Sequence, residues 1–193
     1  MEDSESNVHL KTFVQINHDD IMLPGELHRT NQDIGICIFV HGSGSSRSSP
    51  RYVAKVLRSH GIATFLLDLL TPQEEQIDKM TRHLRFDIAA LLVAHERPND
   101  IKAVISRGGR PDLVSSEILK EIPTPTLFIV GGNDPAVLGL NEKALKDLGS
   151  QIKQLEVIQG ASHLFEESGC LEKVADLAAQ WIKQYLTSDH DEK

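Results

Sequence analysis

A chain of 193 residues and 21.4 kDa has room for one domain of ordinary size. Its 40% hydrophobic and 25% charged residues are ordinary globular usage, which excludes a disordered or fibrous chain. Acidic residues outnumber basic ones by 28 to 20, and the net charge of −8 argues against non-specific binding to nucleic acid or to an anionic membrane.

Met1 to Asn7 is acidic and serine-rich, with neither the basic start nor the apolar stretch of a secretory signal. No apolar run approaches the roughly 20 residues that span a bilayer. The expectation is a cytoplasmic protein with a disordered N-terminus over 1–7, a single domain over 8–187 and a disordered acidic C-terminus over 188–193.

In chain order, Val8 to Ile16 alternates weakly and reads as a strand. Ile21 to His28 contains Leu23-Pro24-Gly25, which reads as a turn or bulge in an edge strand. Ile34 to Val40 (IGICIFV) is a continuous apolar run, expected as a strand buried on both faces, with Cys37 a buried free thiol inside it. Tyr52 to Ser59 has helical spacing and stops at Gly61. Ile62 to Leu67, Ile101 to Ile105, Thr126 to Val130 and Gln154 to Ile158 read as further core strands. Pro135 opens a helix through about Leu148. Leu171 to Tyr185 is amphipathic, with Val174, Leu177, Trp181 and Tyr185 on one stripe. Strands alternating with helices imply an α/β fold with a mostly parallel sheet, whose ligands sit at the carboxyl ends of the strands.

The residues that follow each strand therefore carry the chemical information. After the first core strand comes His41-Gly42-Ser43-Gly44-Ser45-Ser46, a turn that can aim N–H groups at a ligand or simply link strand to helix. After IKAVI come Ser106, Arg107 and Arg110, where the two arginines are a candidate anion site or exposed charges of a turn. Asp134 follows Gly131-Gly132-Asn133 and precedes Pro135; it suits an acid that orients a histidine, and equally an N-cap. His163 follows the last core strand in a small-residue loop and suits a general base. Glu166 and Glu167 beside it read as a solvated acidic patch. No H-x-x-x-H or C-x-x-C pattern occurs, so neither metal nor cofactor is implied.

The order of these pieces, with "LPGEL", "FVHGSGSSRSSPR", "ATFLLDLLTPQEE", "AVISRGGRPDL", "LFIVGGNDPAV" and "GASHLFEE", resembles the small dienelactone-hydrolase-like branch of the α/β-hydrolase superfamily. The resemblance covers most of the chain from Val8 to Tyr185. It implies a three-layer fold and hydrolysis of ester or lactone-type acyl substrates. Asp134 and His163 would be the catalytic acid and base, and His41, Gly42, Ser43 and Gly44 an oxyanion-type loop. Such a family also needs a serine or cysteine on a sharp strand-to-helix elbow. Between Asp68 and Ile101 there is no serine, cysteine or glycine.

A strand, the elbow and the helix portions around it take roughly 30 residues, and this stretch is short by about that much. The helical pattern of Leu84, Ile88, Leu91, Leu92 and His95 joins what resemble the start of one helix and the end of the next. The sheet is expected to close up, with the strand ending at Val40 pairing with Ile101 to Ile105. Ser106 is a poor substitute nucleophile, since Val104 stands where the first elbow glycine belongs. The readings are a family member with a residual, weakly active or inactive site, a non-enzymatic protein that binds a small acyl or anionic ligand, or a truncated gene product. Nothing in the sequence sets an oligomeric state.

Overall fold

The computed structural model describes residues 9–19, 21–41, 48–70, 74, 76–77 and 88–186. It divides into two units, Met1–Arg82 and His83–Lys193, and the boundary falls in the stretch whose sequence is short.

In the first unit, β1 (Leu10–His18) and β2 (Ile21–Arg29) form an antiparallel hairpin in register from Leu10↔Arg29 to His18↔Ile21. Strand β3 (Ile36–His41), helix α1 (Ser48–Ser59) and β4 (Ala63–Asp68) form a parallel β-α-β unit, and the strand order is β1-β2-β4-β3. Helix α1 buries Val53, Ala54 and Leu57, and its chain leaves through Gly61 at φ 72°, the left-handed stop expected there.

Two expectations for this unit fail for identifiable reasons. Leu23-Pro24-Gly25 is neither a bulge nor on an edge; β2 runs straight between β1 and β4. Pro24 stands one residue outside the ladder to β4, which begins at Gly25↔Leu67, so its missing N–H removes no bond there. Gly25 is needed because a Cβ would overlap the Phe65 ring. The apolar run into β3 is not buried on both faces. Ile34, Ile36 and Ile38 are 43%, 50% and 52% exposed. Arg58 of α1 donates to Thr64 Oγ1 at 2.9 Å, and Thr64 pairs with Cys37, so α1 covers the Cys37 face. Successive strand residues alternate, so Ile36 and Ile38 project to the opposite face. Cys37 is half-buried, and burial of its thiol pushes its pKa up to about 12.

The second unit holds α2 (Ala89–Glu96), β5 (Val104–Arg107), a 3-10 turn (Pro111–Leu113), α3 (Ser116–Glu121), β6 (Thr126–Gly131), α4 (Pro135–Asp147), β7 (Lys153–Ile158) and α5 (Cys170–Leu186). Its sheet is parallel, in the order β5-β6-β7. The central strand β6 is buried at every position, as an apolar run covered on both faces should be. Leu91, Ala94, Val104, Leu119, Ile122, Phe128, Ala144 and Leu148 form one core cluster. Helix α5 buries Val174, Ala178, Trp181 and Ile182, close to the expected stripe.

The expected closure of the sheet would pair strands of different units, and the ladders described are those within each unit. Strand β3 pairs with β4, β5 pairs with β6, and two sheets result. Strand β5 also starts three residues later than expected, which places Ser106 and Arg107 on the strand and not in the loop after it.

Candidate functional site

Asp134 and His163 are brought together at the carboxyl ends of β6 and β7. His163 Nδ1 lies 2.8 Å from Asp134 Oδ2. A carboxylate only accepts, so Nδ1 carries the proton, and in the neutral imidazole Nε2 then holds the lone pair. Asp134 also caps α4: its Oδ1 accepts from Val137 N–H at 3.4 Å, with Pro135 at the first helical position. Asp134 thus caps the helix with one oxygen and meets the imidazole with the other. The Asp134 side chain is 16% exposed and that of His163 54%, so the acid is sheltered and the imidazole opens to solvent.

The loops that carry the pair are stitched to each other. Gly132 N–H donates to Ile158 C=O, and Asn133 N–H to Ala161 C=O, both at 2.9 Å. Asn133 Nδ2 donates to Gly160 C=O at 2.9 Å. Gly131 leaves the space that the carbonyls of Ala161 and Ser162 fill; a Cβ there would overlap both. Beyond His163, Phe165 adopts φ 58°, unusual for an aromatic residue, and its ring is fully buried. Glu167 is not merely solvated. It accepts from Ser162 N–H at 3.0 Å, and that backbone donor holds its carboxyl below the usual range.

The two candidate anion-binding arginines part company. Arg110 is engaged by Asp112 through two bonds of 2.7 and 2.8 Å, and this fork holds the Asp112 carboxyl low. Arg107 lies with its guanidinium 5.8 Å from the centre of the Phe165 ring. Its Nη1 is buried and has no hydrogen-bond partner among the described residues, and burial lowers the pKa of the guanidinium. Arg107 therefore sits against the histidine loop, and Arg110 does not offer a free fork.

Ser106 is an ordinary strand residue in register with Phe128. Positive φ outside glycine occurs only at Asp19 and Phe165 among the described residues, so no strained elbow forms at Ser106. His41 ends β3, paired with Asp68, and Gly42, Ser43 and Gly44 lie outside the described residues. No group of three or more His, Cys, Asp or Glu suited to a metal occurs among the described residues. No helix among them is long and apolar enough to cross a membrane.

Sequence reasoning gives no role to Asn133, Asn141 or Phe165. The first stands in the same GGND turn as Asp134, and a polar residue within the apolar spacing of a helix is the available signal for Asn141. Phe165 gives no such signal. In the first unit it also passes over Glu26, which gathers His28 Nε2 at 2.5 Å and Lys11 Nζ at 3.0 Å beside a cavity of about 150 Å³.

No family model matches the chain. Dienelactone hydrolase from Anabaena variabilis is 42% identical, superposes with a TM-score of 0.84, and is matched over 92% of this chain and 98% of its own. An esterase domain from Rhodothermus marinus shares the fold at 14% identity, with a TM-score of 0.73 over 92% of this chain and 99% of that one. Two putative phosphoribosyl transferases from strains of Mycobacterium tuberculosis are 40% identical over 207 aligned positions, which take in 90% of this chain. The chain spans about half, 46%, of those relatives. Since 90% of 193 residues is about 174, about 33 of the 207 positions have no counterpart here. With 42% identity over nearly the full length of both chains, this protein belongs to the α/β-hydrolase superfamily and resembles dienelactone hydrolase.

Proposed function

We propose that this chain carries the acid–histidine half of an ester- or lactone-hydrolase site without its nucleophile, so that acyl hydrolysis is weak or absent. The observation that carries the reading is the 2.8 Å bond between His163 Nδ1 and Asp134 Oδ2 in a family member with no serine, cysteine or glycine between Asp68 and Ile101. The shortfall of roughly 30 residues expected there agrees in size with the 33 unmatched positions. His163 Nε2 can accept a proton from a hydroxyl or a water, and Asp134 holds the tautomer and stabilises the imidazolium that results. Without a serine or thiolate to attack, no acyl-enzyme forms. The loss is on the order of a millionfold in kcat where such a nucleophile has been removed from a working triad. The transferase name belongs to relatives of more than twice this length, and the portion matched here has the hydrolase fold.

Hydrolysis of a p-nitrophenyl acyl ester, compared with that by His163→Ala, tests the reading. Both rates are expected to lie at or close to the blank. Turnover at the rate of a working triad that disappears in His163→Ala overturns it.

Arg107 favours a second reading, a binding site for a small acyl or anionic ligand. Its buried Nη1 offers a donor with no protein acceptor among the described residues, next to the histidine loop. A thermal-shift screen of short carboxylates is expected to show stabilisation that Arg107→Met abolishes; no stabilisation by any of them counts against this reading.

A further inference from the structure

Asn141 lies in α4, fully buried, and its amide works across the fold. Nδ2 donates to Val137 C=O at 2.9 Å within the helix and to Gly109 C=O at 3.1 Å, 32 residues away in sequence. Oδ1 is buried without a partner among the described residues. A buried polar atom left unpaired is unfavourable, so packing of the core alone does not call for an amide here. The amide calls for another explanation.

The Gly109 carbonyl belongs to the segment that backs His163. Gly108 adopts φ 59°, and a Cβ there would stand 3.2 Å from His163 C=O and 3.7 Å from its Cε1. Backbone of the segment after β5 therefore meets the backbone and ring of His163 with no side chain between. Arg107, one residue earlier, lies over Phe165, two residues after His163. The imidazole is also held by Asp134, the N-cap of α4. Asp134 and Asn141 are seven residues apart on that helix, two turns, and so share a face. One rigid helix thus supplies the carboxylate that orients the imidazole and the amide that fixes the segment behind it.

We infer that Asn141 is a positioning residue for His163, acting through Gly109 and Gly108. The positioning rests on the proposed role of His163 only for its purpose. Its test reads the imidazole itself, so the acyl-hydrolysis reading can fail without it, and it can fail while that reading stands.

The test is the imidazole 15N–1H spectrum of the full chain, with His163→Ala to assign the resonance and Asp134→Asn as the reference for a lost acid–imidazole bond. Asn141→Leu removes the donor and the unpaired oxygen together. Asn141→Ser keeps a hydroxyl that can reach Val137 C=O but not Gly109 C=O, and stands in should the leucine variant not fold. In either variant the His163 Nδ1–H is expected to exchange with solvent about fivefold faster or more, the factor for one net hydrogen bond. An unchanged His163 signal in a folded variant overturns the inference, whatever the change in melting temperature.

Discussion

Asp134 is the residue at which cap and acid can be separated. Its Oδ1 holds Val137 N–H at 3.4 Å, and its Oδ2 holds His163 Nδ1 at 2.8 Å. Asparagine caps a helix as well as aspartate. Asp134→Asn keeps the start of α4 and at the cap loses only the favourable charge at a helix N-terminus, about 0.3–1 kcal/mol. If its oxygen keeps Val137, its NH2 faces His163, and a donor there meets a donor. The imidazole answers by moving its proton to Nε2, which removes the lone pair that a general base needs. Asp134→Ala loses the cap as well, a further ~0.5–1 kcal/mol, the lower part of the capping range because the 3.4 Å bond is long. In a chain of this size 1 kcal/mol moves the unfolding midpoint by about 2–4 °C. Thermal unfolding should rank parent, Asp134→Asn and Asp134→Ala in that order, and imidazole spectra should show the Nδ1–H lost in the asparagine variant. An asparagine variant that retains the Nδ1–H, or one as unstable as the alanine variant, refutes the reasoning.

Phe165→Ala empties a fully buried site beneath the histidine loop and should cost about 3–5 kcal/mol, measured by urea unfolding. Gly108→Ala adds a Cβ at positive φ against His163 C=O, and should destabilise by about 1 kcal/mol or more on the same assay. Acid should weaken the fold through Glu26 and Asp112. Burial pushes the Glu26 carboxyl up, but the bonds and charges of His28 and Lys11 outweigh it; the Arg110 fork holds Asp112 down. Both folded values lie below the ordinary ones of 4.5 and 3.8, so this stability is complete above them and is lost as the pH falls through the folded values. Asp112→Asn should therefore lose stability at neutral pH and show a flatter acid limb, seen in unfolding midpoints from neutral pH to about pH 3. Cys37, with its thiol near 12, should resist iodoacetamide at neutral pH in the folded chain, and labelling at the rate of a free cysteine would contradict its burial.

Much of the second unit is legible in the amino-acid sequence. A continuous apolar run marks β6 within a residue, the strand expected at Gln154 to Ile158 matches β7 within a residue, and Asp134-Pro135 marks the start of α4. The partnership of Asp134 and His163 follows from their places after successive strands. What is not legible depends on neighbours. Ile36 and Ile38 read as buried because strand runs do not reveal what covers each face, and α1 covers only the Cys37 face. Arg107 and Arg110 look alike in sequence. Only the fold shows that Asp112 claims one and that Phe165 lies against the other. The roles of Asn133 and Asn141 rest on carbonyls 27 and 32 residues distant, a range that no periodicity reports.

The central claim is an assembled acid–histidine pair with no nucleophile to serve. Intact-mass measurement after exposure to a fluorophosphonate, which esterifies an activated serine, tests it most directly. The account predicts an unchanged mass. A single phosphonyl adduct on the parent chain, absent from His163→Ala, would contradict it and would locate the nucleophile by peptide mapping.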